Sequence, residues 1–148
     1  MKTINEQDKQ NMLEQILAKN ERYIFKTWAT VSIKARDLAM LRDISATDIG
    51  PATRVSNCYA YIGGTKESLN FIILDPIIST KIRNTLSIPL SKIDKAMVKR
   101  SLIIGKVSIE LAIADSKIDI DLSDKSVGTD LLNQMEEIDK MIKYLDNK

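Results

Sequence analysis

Between Lys106 and Leu122 apolar and polar residues alternate with a period of two. Val107, Ile109, Leu111 and Ile113 share one side of the first run, and Ile118, Ile120 and Leu122 share one side of the second. A pleated strand sends successive side chains to opposite faces, so each run predicts a half-buried strand. The turn Ala114-Asp115-Ser116 is short enough to make the pair antiparallel. Upstream, Tyr23 to Lys34, Asn57 to Ile62, Leu69 to Leu74, Thr85 to Ile88 and Val98 to Leu102 read as further strands. Pro89 cannot donate to a central ladder and stops the fourth of these. On the first strand, Tyr23, Phe25, Ala29, Val31 and Ile33 fall on one face, with Lys26, Thr30, Ser32 and Lys34 opposite. Trp28 falls on the polar face, where the choice is between a residue covered by a neighbouring helix and an exposed platform for a partner.

The period changes to 3.6 at both ends of the chain. Met12, Leu13, Ile16 and Leu17 make a narrow stripe over residues 5–20, with Asn5 able to cap the start and Asn20 able to end it in a left-handed conformation. Leu131, Leu132, Met135, Ile138, Met141, Ile142 and Leu145 make a wider stripe over residues 129–146, with Thr129 or Asp130 as the cap. Residues 35–56 are the least regular part. Leu38, Met40, Leu41 and Ile44 suggest a short helix, and Gly50-Pro51 with scattered Ser and Thr reads as a loop. Gly63-Gly64-Thr65-Lys66-Glu67-Ser68 reads as a hairpin turn, in which the glycines would reach positive φ. It lacks the spacing and the strand-to-helix setting of a phosphate-binding loop. The sum is one domain over 1–148, mainly β, with about seven strands across 23–122, an irregular insert and a helix at each end.

Several chemistries are excluded by composition. The 148 residues include no histidine and one cysteine, Cys58. Imidazole-based nucleophilic catalysis, histidine-ligated zinc, an intramolecular disulfide and a cysteine metal cage all require residues the chain lacks. The expectation is a protein without cofactor or metal, with Cys58 a small strand residue. No apolar run approaches the length of a spanning helix and the first residues contain no leader-type apolar region, so the expected location is the cytoplasm.

Three stretches together resemble the bacterial pleckstrin-homology-like domains. Tyr61-Ile62-Gly63-Gly64-Thr65-Lys66-Glu67-Ser68-Leu69-Asn70-Phe71-Ile72 is similar to the family's G-T-x-x-x-L turn between strands. Ile88-Pro89-Leu90-Ser91-Lys92-Ile93 is similar to its I-P-hydrophobic-x-x-I segment. The C-terminal helix is similar to the one that plugs a strongly bent seven-stranded sheet in that family, and Leu17 to Ile24 is similar to its entry into the first strand. The resemblance covers roughly residues 14–145 and departs at 35–56, which is longer than the family's usual connection. It implies a bent antiparallel sheet or partly open barrel acting as a binding scaffold, of bacterial or bacteriophage type.

Charge adds candidates. The net charge is +2, so nothing pulls the whole molecule to nucleic acid, and few aromatics interleave with the basic residues. From Pro76 to Glu110, seven cations face two carboxylates, and Lys92, Lys95, Lys99, Arg100 and Lys106 form a basic segment suited to an anionic ligand or lipid headgroup. Trp28 with Arg36, Arg42 and Arg54, in or near the irregular insert, are candidates for contact with a protein partner or a second copy. Asp119 and Asp121 lie two apart on one strand face. They read as the solvent face of an edge strand, with a carboxylate-dependent enzyme as the opposing possibility. The leading expectation is a non-enzymatic protein-interaction module, with the anion or membrane-surface binder as its alternative.

Overall fold

The computed structural model describes residues 4–47, 50–102, 104–124, 131 and 133–146. In chain order these form α1 (Glu6–Gln15), β1 (Phe25–Ile33), α2 (Ala35–Ile44), β2 (Val55–Gly64), β3 (Ser68–Leu74), β4 (Ile82–Pro89), a 3₁₀ turn, β5 (Ile93–Arg100), β6 (Lys106–Ile113), β7 (Ser116–Ser123) and α3 (Gln134–Asp146). The strands make one antiparallel sheet in the order β4-β3-β2-β1-β7-β6-β5.

That sheet is curled. α2 touches both β4 and β7, which are four strand spacings apart in the order. In a flat sheet they would be about 19 Å apart, beyond the roughly 10–12 Å breadth of one helix. At the other end, the Tyr144 hydroxyl of α3 donates to the Ser68 carbonyl of β3 at 3.0 Å, while α3 also packs on β5. The concave face therefore encloses one core, to which all seven strands, α2 and α3 contribute.

β1 is buried on both faces. Phe25, Ala29, Val31 and Ile33 enter the concave core, while Trp28 joins Tyr61, Ile72 and Leu74 in a second cluster on the outside. α1 covers that cluster with Leu13, Met12 and Ile16, and Ile4 closes it. β1 pairs with β2 along nearly its whole length, but with β7 only over Thr30, Val31 and Ser32. Below that point α3 supplies the missing partners. The amide of Lys26 donates to Glu137 Oε1 at 2.8 Å, and Gln134 Nε2 donates to the Trp28 carbonyl at 2.9 Å. Thr27 Oγ1 in turn donates to Gln134 Oε1 at 2.8 Å.

Several expectations change. Asn5 caps α1, its side chain accepting from the Asp8 amide at 2.8 Å, but the helix ends at Gln15. Asn20 is left-handed, with φ 69°, in the turn beyond the helix and not on it. The 35–56 segment is mostly structure: α2 fills residues 35–44 and seats Leu38 and Leu41 fully in the core. The chain leaving α2 seals the outer edge of β4. The Ala46 amide donates to the Ser87 carbonyl at 2.9 Å, the Ser87 amide to Ser45 Oγ at 2.7 Å, and Asn84 Nδ2 to the Pro51 carbonyl at 2.9 Å. The caps proposed at Thr129 and Asp130, and Leu132, lie outside the described residues. In α3 the buried stripe is Ile138, Met141, Tyr144 and Leu145, and Met135 points outward.

Gly63 and Gly64 sit in β2, and neither has positive φ; the reversal is made by Thr65, whose hydroxyl accepts from the amides of Glu67 and Ser68 at 3.1 and 3.0 Å. Their missing side chains make room for rings. A Cβ on Gly64 would overlap Phe25 Cε1 and stand 2.7 Å from Tyr144 Cζ. Phe25 and Tyr144 meet there edge to face, with centroids 5.1 Å apart.

Gly64→Ala is expected to cost about 1–3 kcal/mol, because neither ring can retreat from a packed core. The measurement is urea unfolding, read as a lower midpoint at unchanged slope. Leu38→Ala is expected to cost about 2–5 kcal/mol, the range for emptying a core position, where a residue in an irregular surface insert would cost under about 0.5.

Candidate functional site

α1 covers only the β1–β3 part of the outer sheet surface. Over the Thr30 to Ser32 end of β1 and over β7, β6 and β5 the outer face is bare. The registers define what it presents. Met97 of β5 lies opposite Glu110 of β6, which lies opposite Asp119 of β7, which lies opposite Ser32 of β1. One pleat along, Lys99, Ser108, Asp121, Thr30 and Tyr59 form a parallel row. Alternation in β6 and β7 sends their isoleucines, leucines and valine inward and leaves this polar set outside.

Three adjoining hollows run along this face. The central one, of about 400 Å³, is lined by Ser32, Asn57, Met97, Lys99, Ser108, Glu110, Asp119 and Asp121. A second, of about 340 Å³, extends toward Lys34, Asp37, Arg54 and Lys117. The third, of about 400 Å³, extends toward Trp28, Tyr59, Ser101, Lys106 and Ser123. Carboxylates thus outnumber cations in the middle of the groove, where Lys99 stands with Glu110, Asp119 and Asp121, and cations outnumber carboxylates among the residues added at its two ends.

Side-chain bonds fix much of this surface. Ser108 Oγ donates to Asp121 Oδ1 at 2.8 Å, and Lys117 Nζ stands 3.2 Å from Glu110 Oε1. Ser32 Oγ accepts from the Asn57 amide and donates to Asn57 Oδ1, each at 3.0 Å, at the point where the β1–β2 register shifts. Asn57 has φ 48°, a conformation that asparagine tolerates better than most residues. The Asp119 carboxyl is held above the usual carboxylate range, first by loss of water contact and then by the charges of Glu110 and Asp121.

The residues singled out in the sequence are dispersed. Trp28 is only 5% exposed and meets Tyr59 edge to face at 6.0 Å, so it presents almost nothing to a partner. Its covered position, with α1 over it, is the other of the two placements weighed for it. Arg36 projects from the start of α2, 3.7 Å from Asp37 Oδ1, and Arg42 sits half-buried on α2. Neither lines the groove. Arg54 does, at one end, and its carbonyl accepts from Arg83 Nη2 at 3.0 Å. Of the basic segment, Lys99 and Lys106 line the groove, while Lys92, Lys95 and Arg100 are exposed beside it. Asp119 and Asp121 do face solvent, but β7 is an interior strand between β1 and β6, not an edge. They stand on an open strand face, and among the described residues no group of three acidic, cysteine or histidine side chains could hold a metal ion. Glu110, Ser32, Asn57 and Tyr59 escaped sequence reasoning. Glu110 could have been found, since it alternates outward on β6; the others depend on pairing between distant strands.

Seven antiparallel strands in this order, with a C-terminal helix closing one end of the curl, are the arrangement that the sequence motifs implied. The fold is pleckstrin-homology-like. Two solved structures are similar to the chain over 93% of its length. One is a pleckstrin homology domain from Shewanella amazonensis SB2B, 16% identical, with 95% of that chain covered and a TM-score of 0.45. The other is the hSac2 domain from the human phosphoinositide phosphatase Sac2, 10% identical, with 78% of that chain covered and a TM-score of 0.48. No protein-family model and no curated protein matches the sequence. Pleckstrin-homology-like architecture describes the scaffold; what this chain binds has to be argued from its own surface.

With the Asp119 carboxyl raised, the folded chain holds its proton at a pH where the unfolded chain has released it. Stability from that proton is complete below the ordinary aspartate value and is lost as pH rises through the raised one. Asp119→Asn is therefore expected to raise the thermal midpoint at neutral pH and to leave it unchanged below about pH 3. Melting curves at the two pH values check this; equal shifts at both would show that the carboxylate charge is not the cause.

Proposed function

We propose that the protein is a non-enzymatic, cytoplasmic interaction module, of bacterial or bacteriophage type, that holds a partner polypeptide on the bare face of β1, β7, β6 and β5. The observation that carries this reading is the unequal use of the sheet's outer surface. α1 covers the β1–β3 half and Ser45, Ala46 and Pro51 bond to the β4 edge, while the other half keeps a groove that runs up to β5. β5 stands at the end of the strand order among the described residues, so an extended segment can add beside it. Met97 on β5 gives that segment an apolar contact, and Tyr59, four strands away on β2, gives one to a part of the partner lying across the groove; they are 48% and 46% exposed. A partner carrying basic residues at the centre and acidic ones at its ends suits the charge order of the groove.

A binding role also fits the chain's chemistry. Nucleophilic and general acid–base machinery built on histidine is absent from the sequence, and the groove's carboxylates lie on an open face where water competes at every step. A buried free thiol at Cys58 suits a reducing compartment.

The test places a photo-crosslinking amino acid at position 97 in the groove, with position 77 on a distant loop as the control. Irradiation in the native host is expected to yield one stoichiometric cross-linked polypeptide from position 97 and none from position 77. Cross-linking at both positions alike, or reproducible turnover of a small-molecule substrate by the purified chain, would overturn the reading.

A further inference from the structure

The hairpin joining β5 to β6 ends in apolar side chains that nothing covers. Leu102 and Ile104 are 104% and 91% exposed, the two highest values among the large apolar residues described. The base of this hairpin is well tied. The Ser101 amide donates to the Lys106 carbonyl at 3.1 Å, and the Asp124 amide to the Gly105 carbonyl at 2.9 Å. Gly105 has φ +86°, and any side chain there would strike the Asp124 carboxylate. The tip is thus held out from the sheet by its own turn.

Directly behind the tip stand Lys99, Arg100 and Lys106, all exposed, and none of them in an ion pair among the described residues. Of the carboxylates nearby, Asp121 accepts from Ser108 and the Asp124 carboxylate is packed behind Gly105, away from the exposed collar. An apolar apex followed by a collar of cations repeats the order of environments met on entering an anionic lipid surface, with phosphates outside and acyl chains beneath.

A folded protein partner fits this apex poorly. A stable protein interface buries at least about 1,000 Å², and two side chains at the point of a narrow hairpin cannot supply that. A lipid surface needs no matching cavity. The β3–β4 tip makes the contrast. Ile77 and Ile78 are exposed there too, but Arg83 is tied to Thr53, Asn84 and the Arg54 carbonyl, and the Asp75 carboxylate sits at the base of the loop. The alternating strand directions put that loop on the opposite rim of the sheet.

We propose that the β5–β6 hairpin docks the protein on anionic membrane surfaces, with Leu102 and Ile104 entering the acyl boundary and Lys99, Arg100 and Lys106 at headgroup level. Lys99 and Lys106 also line the groove, but Leu102, Ile104 and Arg100, the positions substituted in the test below, line none of its three hollows, so either proposal can fail without the other.

The test is co-sedimentation of the full chain with phosphatidylcholine vesicles, with and without phosphatidylserine, at low and at physiological salt. Binding to the phosphatidylserine vesicles is expected to exceed binding to phosphatidylcholine alone by at least about tenfold and to weaken with salt. The double variant Leu102→Ser/Ile104→Ser, and Arg100→Glu separately, are expected to lose at least about tenfold in binding with the thermal midpoint unchanged. Ile77→Ser is expected to bind as the wild type does. The proposal is overturned by absence of sedimentation with phosphatidylserine vesicles, by binding that survives the double substitution, or by an equal loss in Ile77→Ser. It is also overturned if vesicles are ignored while light scattering finds a dimer that the double substitution separates, which would make the tip a protein contact.

Discussion

A strand in the middle of a sheet needs hydrogen-bond partners on both flanks and apolar cover on both faces, and β1 is where this chain meets all four demands. β2 supplies one flank throughout. β7 supplies the other for three residues and then departs, and Glu137 and Gln134 of α3 take over at Lys26 and Trp28. An unpaired buried backbone group costs about 1–3 kcal/mol, so these two side chains fix where α3 must lie. With α3 so placed, Phe25 and Tyr144 close the core beneath, and the tyrosine hydroxyl reaches across to β3. The curl of the sheet and the seating of its helix both trace back to the same strand.

The fourth demand, cover for Trp28, explains the asymmetry of the surface. α1 lies over β1, β2 and β3, with Leu13 in the apolar cluster and Lys26 Nζ donating to Gln10 Oε1 at its margin. It extends no further, so half of the outer face is finished and half is left polar and grooved. The cover that stabilises the sheet and the groove proposed for recognition thus lie on different parts of it. Because the chain has no histidine, the charges along the bare half change little across the neutral range. Its attraction for a partner is set by salt more than by pH.

Much of this was legible in the residues. The alternation of β6 and β7, the Asn5 cap and the apolar stripe of α3 are local signals, and local geometry dictates them. α2 was legible as a helix, yet its seat against both β4 and β7 was not, because the closure that makes the seat involves strands far apart in sequence. Gly63-Gly64 shows a local rule being overridden: the pair has the chemistry of a turn, but its use is to give space to Tyr23, Phe25 and Tyr144. Tyr144 itself was missed because its polar hydroxyl hid a buried ring. The groove was half legible. Outward positions on β6 and β7 could be counted, but only the pairing of β1 with β7 sets Ser32 beside Asp119.

The sealed margin at β4 has one more consequence. A sheet with two free edges can add copies without limit, each new molecule offering the next a template. Here Ser45, Ala46 and Pro51 bond to one margin, leaving β5, paired with β6 alone, as the edge strand open to a further neighbour among the described residues. Self-pairing through β5 would join two copies about a two-fold axis and stop there, since neither has another strand to offer. The edge bonds made by Ser45, Ala46 and Pro51 thus oppose open-ended strand pairing at β4 by occupying its outward groups.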